Sequence, residues 1–231
     1  MRATGLCAAV PVRQHARMHA IDGFLPAKVA EPLHADEIHV WRLWRPKGAG
    51  REPLLALLAG YLGIAPDEVR LVAHEHGRPA LDPAHGGALD FNWSHSGELA
   101  LVALARGIAP GVDLEQRRTR ANALEIAQRF FTAEEAAWLG TLDEAERRTA
   151  FLELWTAREA VLKALGRGLA FGLDRLAFRR EAAGLVLQRL DGEDPATWQL
   201  QQLGVGTEAF AALAWRGTPR RIRLFALARA A

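Results

Sequence analysis

Two stretches of the sequence predict a strand and a helix that together carry its chemistry, Gly111-Val112-Asp113-Leu114-Glu115 and Trp155-Thr156-Ala157-Arg158-Glu159-Ala160-Val161-Leu162-Lys163-Ala164-Leu165-Gly166-Arg167-Gly168-Leu169. On a strand, Asp113 and Glu115 lie on the same face, because side chains alternate with a period of two. On a helix, Glu159 and Lys163 lie one turn apart on the same side. Three carboxylates and one cation suit a Mg²⁺ ion and the pyrophosphate that it binds. We therefore expect a site for phosphate chemistry.

Each pair also has an ordinary explanation when it is taken alone. Asp113 and Glu115 fit a solvated edge strand whose acids pair with the arginines that follow. Glu159 and Lys163 have the spacing of the commonest surface ion pair on a helix. Two buried carboxylates on one face repel each other, and a metal ion removes that cost. The two pairs form a functional site only if the fold brings them together.

Composition excludes several classes of protein. The chain has 231 residues, half of them hydrophobic, and a net charge of +2, so a nucleic-acid partner is not indicated. Its single cysteine, Cys7, excludes a disulfide framework and a multi-cysteine zinc site. The apolar run at residues 6–10 is too short for a signal peptide. No segment approaches the roughly 18 apolar residues of a membrane span, so we expect a cytoplasmic protein without a membrane partner.

Periodicity and turn residues predict an α+β fold with two halves, residues 1–109 and 110–231, divided at Pro110. In the first half we expect a helix over 52–62 and strands over 38–43, 69–73 and 99–105. In the second half we expect helices over 121–131, 133–139 and 143–165, the second of them with a capping box of Thr132 and Glu135. We expect strands there over 111–115, 176–180, 185–190, 198–202, 210–215 and 222–227.

Two further segments carry polar groups suited to phosphate oxygens. Residues 91–97, Phe91-Asn92-Trp93-Ser94-His95-Ser96-Gly97, predict a turn rich in hydrogen-bond donors. Taken alone, that turn favours a purely structural role, since adjacent Ser94 and His95 cannot form a nucleophile–base pair and no Gly-x-Ser-x-Gly elbow is present. Gly77-Arg78-Pro79 predicts a bend that aims a guanidinium, or merely a turn.

Four segments in this order resemble the 4′-phosphopantetheinyl transferases, in particular the surfactin-synthetase-activating (Sfp) type. They are Gly77-Arg78-Pro79, Phe91-Asn92-x-Ser94-His95-Ser96, Gly111-x-Asp113-x-Glu115 and Trp155-x-x-x-Glu159-Ala160-x-x-Lys163-Ala164-x-Gly166-x-Gly168-Leu169. The resemblance implies a pseudo-dimer of two similar α+β halves, each a small antiparallel sheet packed with helices, with the active site at their interface. It also implies transfer of the 4′-phosphopantetheine arm of coenzyme A to a serine of an apo carrier protein, with release of 3′,5′-ADP.

The same resemblance implies roles for individual residues. Mg²⁺ would be held by Asp113, Glu115 and Glu159. Glu159 would be the general base, directly or by way of a water on the metal, and Lys163 would bind the pyrophosphate and assist departure of 3′,5′-ADP. The remaining contacts to coenzyme A would come from Arg51, Arg78, Asn92, Trp93, Ser94 and His95.

The chain departs from the family pattern in two places. Arg78 and Arg158 stand where the family usually has lysine, which retains the charge for phosphate binding but changes its geometry. The family also has a charged helix before the helix at 52–62, and this chain has a short Pro/Gly loop instead. The coenzyme A 3′-phosphate would then depend on Arg45, Lys47 or Arg51.

The partner implied is an apo acyl, peptidyl or aryl carrier protein, and the pseudo-dimer implies a monomer. Carrier proteins are commonly acidic, so three arginines after the carboxylate strand would steer one in, Arg117, Arg118 and Arg120. Two alternatives remain open. One is a catalytically silent module that binds coenzyme A or the carrier, and the other is an unrelated Mg²⁺ phosphohydrolase that releases phosphate from coenzyme A without a carrier.

Overall fold

Twelve β-strands and four α-helices form the part of the chain that the computed structural model describes, residues 23–27, 31–74, 76–87, 89–117, 122–182 and 184–227. The predicted α+β class is confirmed. The elements before Pro110 are β1 (Leu25–Ala27), β2 (Glu37–Trp44), α1 (Glu52–Leu62), β3 (Leu71–Ala73), β4 (Pro79–Leu81), β5 (Leu89–Ser96) and β6 (Leu99–Arg106). Those after it are β7 (Gly111–Gln116), α2 (Ala123–Phe130), α3 (Ala133–Thr141), α4 (Glu144–Leu165), β8 (Leu176–Glu181), β9 (Gly184–Leu190), β10 (Trp198–Leu203), β11 (Ala209–Arg216) and β12 (Arg221–Leu227).

A five-stranded sheet with the order β1-β12-β2-β6-β5 forms the first layer. Both faces of β2 are buried, because Trp41 and Leu43 pack under α1 while Ile38 and Val40 face the opposite side. The last strand of the chain, β12, lies in this sheet and runs parallel to β2. The division at residue 110 stays a prediction, and so does the pseudo-dimer. What the topology adds is that the chain returns to its first sheet at its end.

The segment 91–97 was predicted as a turn, and that prediction is wrong. Residues 89–96 form strand β5, paired with β6 in antiparallel register, and the turn begins at Gly97, whose φ is +61°. Alternation places Phe91 and Trp93 against the α1 core. The polar residues on the opposite face of the strand, Asn92, Ser94 and Ser96, face the second sheet. The pattern of the strand is hidden in the sequence because its polar face points inward.

The second layer is a three-stranded antiparallel sheet with the order β10-β11-β7, crossed by the long helix α4. Helix α4 begins after Asp143, whose Oδ1 accepts the Glu146 N–H at 2.9 Å, and it ends at Gly166 with φ +76°. That left-handed conformation is open to glycine at little cost. The two sheets face each other across an apolar core that contains Val40, Leu101 and Val112.

Gly111 fixes how closely β7 approaches α4. A Cβ atom at this position would lie 2.0 Å from the Ala160 carbonyl oxygen and 2.4 Å from the Ala164 nitrogen. Both atoms belong to the helix backbone and cannot rotate away. Glycine is therefore required where the strand crosses the helix. None of the described helices has both the length and the apolar character of a membrane span.

Candidate active site

Strand β7 places Asp113 at the centre of a polar site between the two sheets. Asp113 is 4% exposed, and its Oδ1 accepts hydrogen bonds from Ser94 Oγ at 2.8 Å and from Lys163 Nζ at 2.6 Å. Lys163 Nζ also donates to Ser94 Oγ at 3.1 Å and to the Val112 carbonyl at 3.3 Å. The segments 92–96, 111–115 and 159–163, far apart in the chain, thus meet at one point. The sequence predicted a functional site on the condition that the fold brings these segments together, and the structure does so.

Glu159 lies on α4 one turn before Lys163 and is only partly exposed. Burial and the negative charges of Asp113 and Glu115 together raise the pKa of Glu159 to about 7, although the positive charge of Lys163 opposes the shift. Glu159 therefore lies close enough to the other two carboxylates to be affected by their charges. A carboxyl with a pKa near neutrality exchanges a proton readily at physiological pH.

The donor set fits a divalent cation in its chemistry. Asp113 Oδ2 is buried without a hydrogen-bond partner, and the carboxylates of Asp113, Glu115 and Glu159 offer hard oxygen ligands. Within the ranges described above, no three histidine, cysteine or acidic side chains are already arranged as a metal site. A metal ion bound here would therefore have to draw the carboxylates together. Asp113, Glu115 and Glu159 remain the predicted ligands.

His95 and Trp93 lie on the other face of β5, where their ring centroids are 5.2 Å apart. The His95 side chain is exposed at the edge of the site. Partial burial lowers its pKa, and the positive charges of Arg45 and Lys163 lower it further. The two cations near His95, Arg45 and Lys163, create a positive potential that favours an anion. Contact of His95 and Trp93 with coenzyme A stays a prediction.

Arg78 is occupied with holding the fold together. Its Nη2 donates to Asp90 Oδ1 at 2.7 Å, to the Phe91 carbonyl at 2.9 Å and to the Pro110 carbonyl at 3.2 Å. The guanidinium thereby ties the turn at 77–79 to β5 and to the start of β7. Arg51 is exposed at the start of α1, where it makes no side-chain cap. Phosphate binding by Arg78 and Arg51 stays a prediction.

The expectation that Arg158 contributes charge for phosphate binding is wrong. Arg158 is fully buried on the side of α4 away from the site, where its Nη2 forms an ion pair with Glu135. Its Nε donates to the Leu173 carbonyl at 3.3 Å, and its guanidinium carbon lies 3.9 Å from the centroid of the Phe131 ring. Burial lowers the pKa of Arg158 to about 10, and Glu135 partly offsets this. Neighbouring residues on a helix point about 100° apart, so Arg158 enters the core while Glu159 faces the site.

Replacing Arg158 by alanine is expected to destabilise the protein by about 3–5 kcal/mol, because it leaves Glu135 as an unpaired buried charge. Denaturant unfolding monitored by tryptophan fluorescence would measure this. Coenzyme A affinity of the folded fraction should not change, since the guanidinium does not face the site. A variant that keeps its stability but loses coenzyme A affinity would contradict this assignment.

Sequence reasoning missed one residue of the site, Ser96. Its hydroxyl donates to Glu115 Oε2 at 3.1 Å and accepts the Gln116 N–H at 3.1 Å. A compositional signal could have found it, because the whole chain contains only two serines, Ser94 and Ser96. Of the three arginines expected to steer a carrier, Arg117 donates to Thr149 Oγ1 at 3.3 Å, whereas Arg118 and Arg120 lie outside the described residues, as does Cys7.

Residues 109–214 match the family model of the 4′-phosphopantetheinyl transferase superfamily. This segment of the chain is similar to the members of that superfamily. The matched segment contains Asp113, Glu115, Glu159 and Lys163, and the predicted coenzyme A contacts at residues 51–95 precede it. The resemblance inferred from the four sequence segments is therefore confirmed.

Several known proteins are similar to this chain. The 4′-phosphopantetheinyl transferase HetI of Nostoc sp. is 40% identical over 124 residues, covering 53% of this chain and 52% of the relative. The 4′-phosphopantetheinyl transferase Sfp of Bacillus subtilis is 34% identical over 122 residues, covering 52% and 51%. The matches to these relatives span about half of their length. A crystal structure of a holo-(acyl-carrier-protein) synthase from Bacillus anthracis with coenzyme A (3′,5′-ADP) aligns with a TM-score of 0.40 at 18% identity, covering 47% of this chain and 96% of that one.

Proposed function

We propose that the protein transfers the 4′-phosphopantetheine arm of coenzyme A to a serine of an apo acyl, peptidyl or aryl carrier protein and releases 3′,5′-ADP. One observation carries this proposal. The acidic strand β7, the Glu159–Lys163 face of α4 and the Ser94 hydroxyl of β5 meet at a single polar site, within and beside the segment that matches the family. The named relatives are phosphopantetheinyl transferases, which supports the same activity.

The proposal includes a Mg²⁺ requirement. Asp113, Glu115 and Glu159 would hold the ion, and the unpartnered Asp113 Oδ2 supports that assignment. When bound, Mg²⁺ would neutralise negative charge on the pyrophosphate of coenzyme A. Ser94 keeps Asp113 oriented through its 2.8 Å hydrogen bond, so the carboxylate is held in place before any ion binds.

In the proposed reaction, the carrier serine oxygen attacks the phosphorus that bears the pantetheine arm. A new O–P bond forms, and the P–O bond to 3′,5′-ADP breaks. Glu159 would accept the serine proton as the general base. Lys163, whose Nζ is within reach of the site centre and 25% exposed as a side chain, offsets the negative charge that develops on the leaving phosphate.

A cleft at the end of the acidic strand would serve as the docking surface for the carrier. It has a volume of about 410 Å³ and starts at Arg117, directly after the acidic strand. Trp138 and Leu142 supply apolar surface, and Arg180 adds a second cation at the rim. An acidic carrier with an apolar patch would match this lining. A cytoplasmic monomer with no nucleic-acid or membrane partner belongs to the same proposal.

The test is to incubate the purified protein with coenzyme A, Mg²⁺ and several apo carriers, and to measure the intact mass of each carrier. A gain equal to one phosphopantetheine arm, abolished by a chelator, is the expected result. Coenzyme A binding without any mass gain would instead favour a silent binding module. Phosphate release without a carrier would favour a phosphohydrolase.

A further inference from the structure

Strands β5 and β7 are edge strands of different sheets that lie side by side and are joined by side chains. Three rungs connect them. Asn92 Oδ1 accepts the Val112 N–H at 2.9 Å, Ser94 Oγ donates to Asp113 Oδ1 at 2.8 Å, and Ser96 Oγ bridges Glu115 and the next backbone N–H. Alternate residues of β5 thus contact Val112, Asp113 and the Glu115–Gln116 pair of β7 in order. We call Asn92, Ser94 and Ser96 the polar ladder.

The composition of the chain singles out this ladder. Among 231 residues there are two serines and two asparagines, and three of these four residues form the rungs. All three are buried, at 8% exposure or less. A buried hydroxyl or amide is costly unless it is hydrogen-bonded, so each rung is stable only in the register observed. The ladder therefore specifies which residues of β7 face which residues of β5.

Ser96 makes the rung with the most direct consequence for the carboxylates. One hydroxyl holds both the Glu115 carboxylate and the Gln116 N–H, so the side chain of Glu115 is fixed relative to its own backbone. Two residues earlier, Ser94 Oγ donates to Asp113 Oδ1 and accepts a hydrogen bond from Lys163 Nζ. Side chains that hydrogen-bond metal ligands commonly set the ligands' orientation and the affinity for the metal.

We propose that Ser96 is a positioning residue that orients Glu115 towards Asp113 and Glu159 for divalent-cation binding. This deepens the proposed function and rests on it. Ser96 touches neither reacting group in the scheme above, and it acts through Glu115. The other rungs keep β7 in register, and Ser96 provides the contact to the Glu115 carboxylate.

The experiment uses the full-length protein and Mn²⁺ as a probe whose binding is read by electron paramagnetic resonance, without coenzyme A or carrier. Ser96→Ala is expected to raise the Kd for Mn²⁺ about tenfold or more. Ser96→Thr keeps the hydroxyl and should restore most of the affinity. Thr156→Val is the matched control, because it removes a buried hydroxyl that donates to carbonyls of its own helix.

A second readout separates positioning from general stability. In the transfer assay, Ser96→Ala should need more Mg²⁺ for half-maximal rate but approach the wild-type rate at saturating Mg²⁺. Equal Mn²⁺ affinity in the wild type and in Ser96→Ala would overturn this proposal while leaving the transferase function intact. A loss of Mn²⁺ affinity in both Ser96 variants and in the Thr156 control, in proportion to a lowered melting temperature, would also overturn it. A wild type that transfers the arm but binds no Mn²⁺ would overturn the proposal for Ser96 and leave the transferase function intact.

Discussion

Replacing Glu159 by glutamine is expected to abolish transfer while stabilising the cation-free fold at pH 8. Glutamine cannot accept the proton of the carrier serine, and general-base catalysis is typically worth about 10²–10⁴ in rate. Glutamine is nearly isosteric but carries no charge. The substitution therefore removes the repulsion from Asp113 and Glu115 without creating a cavity.

The sign of the stability effect follows from the raised pKa of Glu159, about 7 against an ordinary value of 4.5. A carboxyl whose pKa is higher in the folded state favours folding most when it is protonated. Its contribution is complete below pH 4.5 and is lost as the pH rises through 7. At pH 8 the ionised group would cost roughly 2–3 kcal/mol, allowing for its partial exposure. The variant should then be more stable than the wild type at pH 8, with most of that difference gone at pH 5.

Urea unfolding with a chelator at pH 5 and pH 8 measures stability, and intact-mass analysis of the carrier measures transfer. Adding Mg²⁺ should stabilise the wild type more than the variant, because the variant lacks one ligand. Glu144→Gln is the control, since that side chain lies exposed on the same helix, 83% accessible. It should leave transfer unchanged and lower stability by no more than about 0.5 kcal/mol, through loss of its exposed ion pair with Arg148. Near-normal turnover in Glu159→Gln would exclude the mechanism.

Replacing Gly111 by alanine is expected to destabilise the protein by at least about 3 kcal/mol. The new methyl group would overlap two backbone atoms of α4, so strand and helix must separate. Separation would pull Asp113 away from Lys163, whose Nζ now lies 2.6 Å from Oδ1. A shift of about 1 Å at a reacting centre costs on the order of 10²-fold in rate, so transfer by the folded protein should also fall.

Gly140→Ala is the matched control for Gly111→Ala. Gly140 lies within α3, and a Cβ atom there would meet nothing within 4 Å. Alanine should stabilise that helix by about 0.5–1 kcal/mol and leave transfer unchanged. Thermal unfolding of both variants measures stability, and intact-mass analysis of the carrier measures transfer. Wild-type stability in Gly111→Ala would mean that β7 does not need its close approach to α4.

Features that depend on neighbours in the chain could be predicted well. The helix expected over 52–62 is present over the same residues, and the capping box of Thr132 and Glu135 forms as its spacing required. The long helix expected over 143–165 begins one residue later, with Asp143 as its N-cap. These features follow from periodicity and from contacts three or four residues apart, which the sequence displays directly.

Features that depend on distant partners could not be predicted. The helical spacing favoured a Glu159–Lys163 pair, yet Lys163 forms its ion pair with Asp113, 50 residues earlier in the chain. Arg158 stands where the family usually has a lysine, which suggested that it binds phosphate. Its partner in the structure is Glu135, 23 residues away in the chain and buried in the core. Local spacing says which side chains are neighbours on one helix, but it does not say what packs against that helix.

By itself, the sequence determined the α+β class, the shared face of Asp113 and Glu115, and the family that the chain resembles. The tertiary structure alone decided that residues 89–96 form a strand, that their polar face joins two sheets, and that the final strand returns to the first sheet. The physical reason is the same in each case. A polar residue reveals its partner only when folding brings that partner within hydrogen-bond distance, and here the partners are 19 or more residues apart.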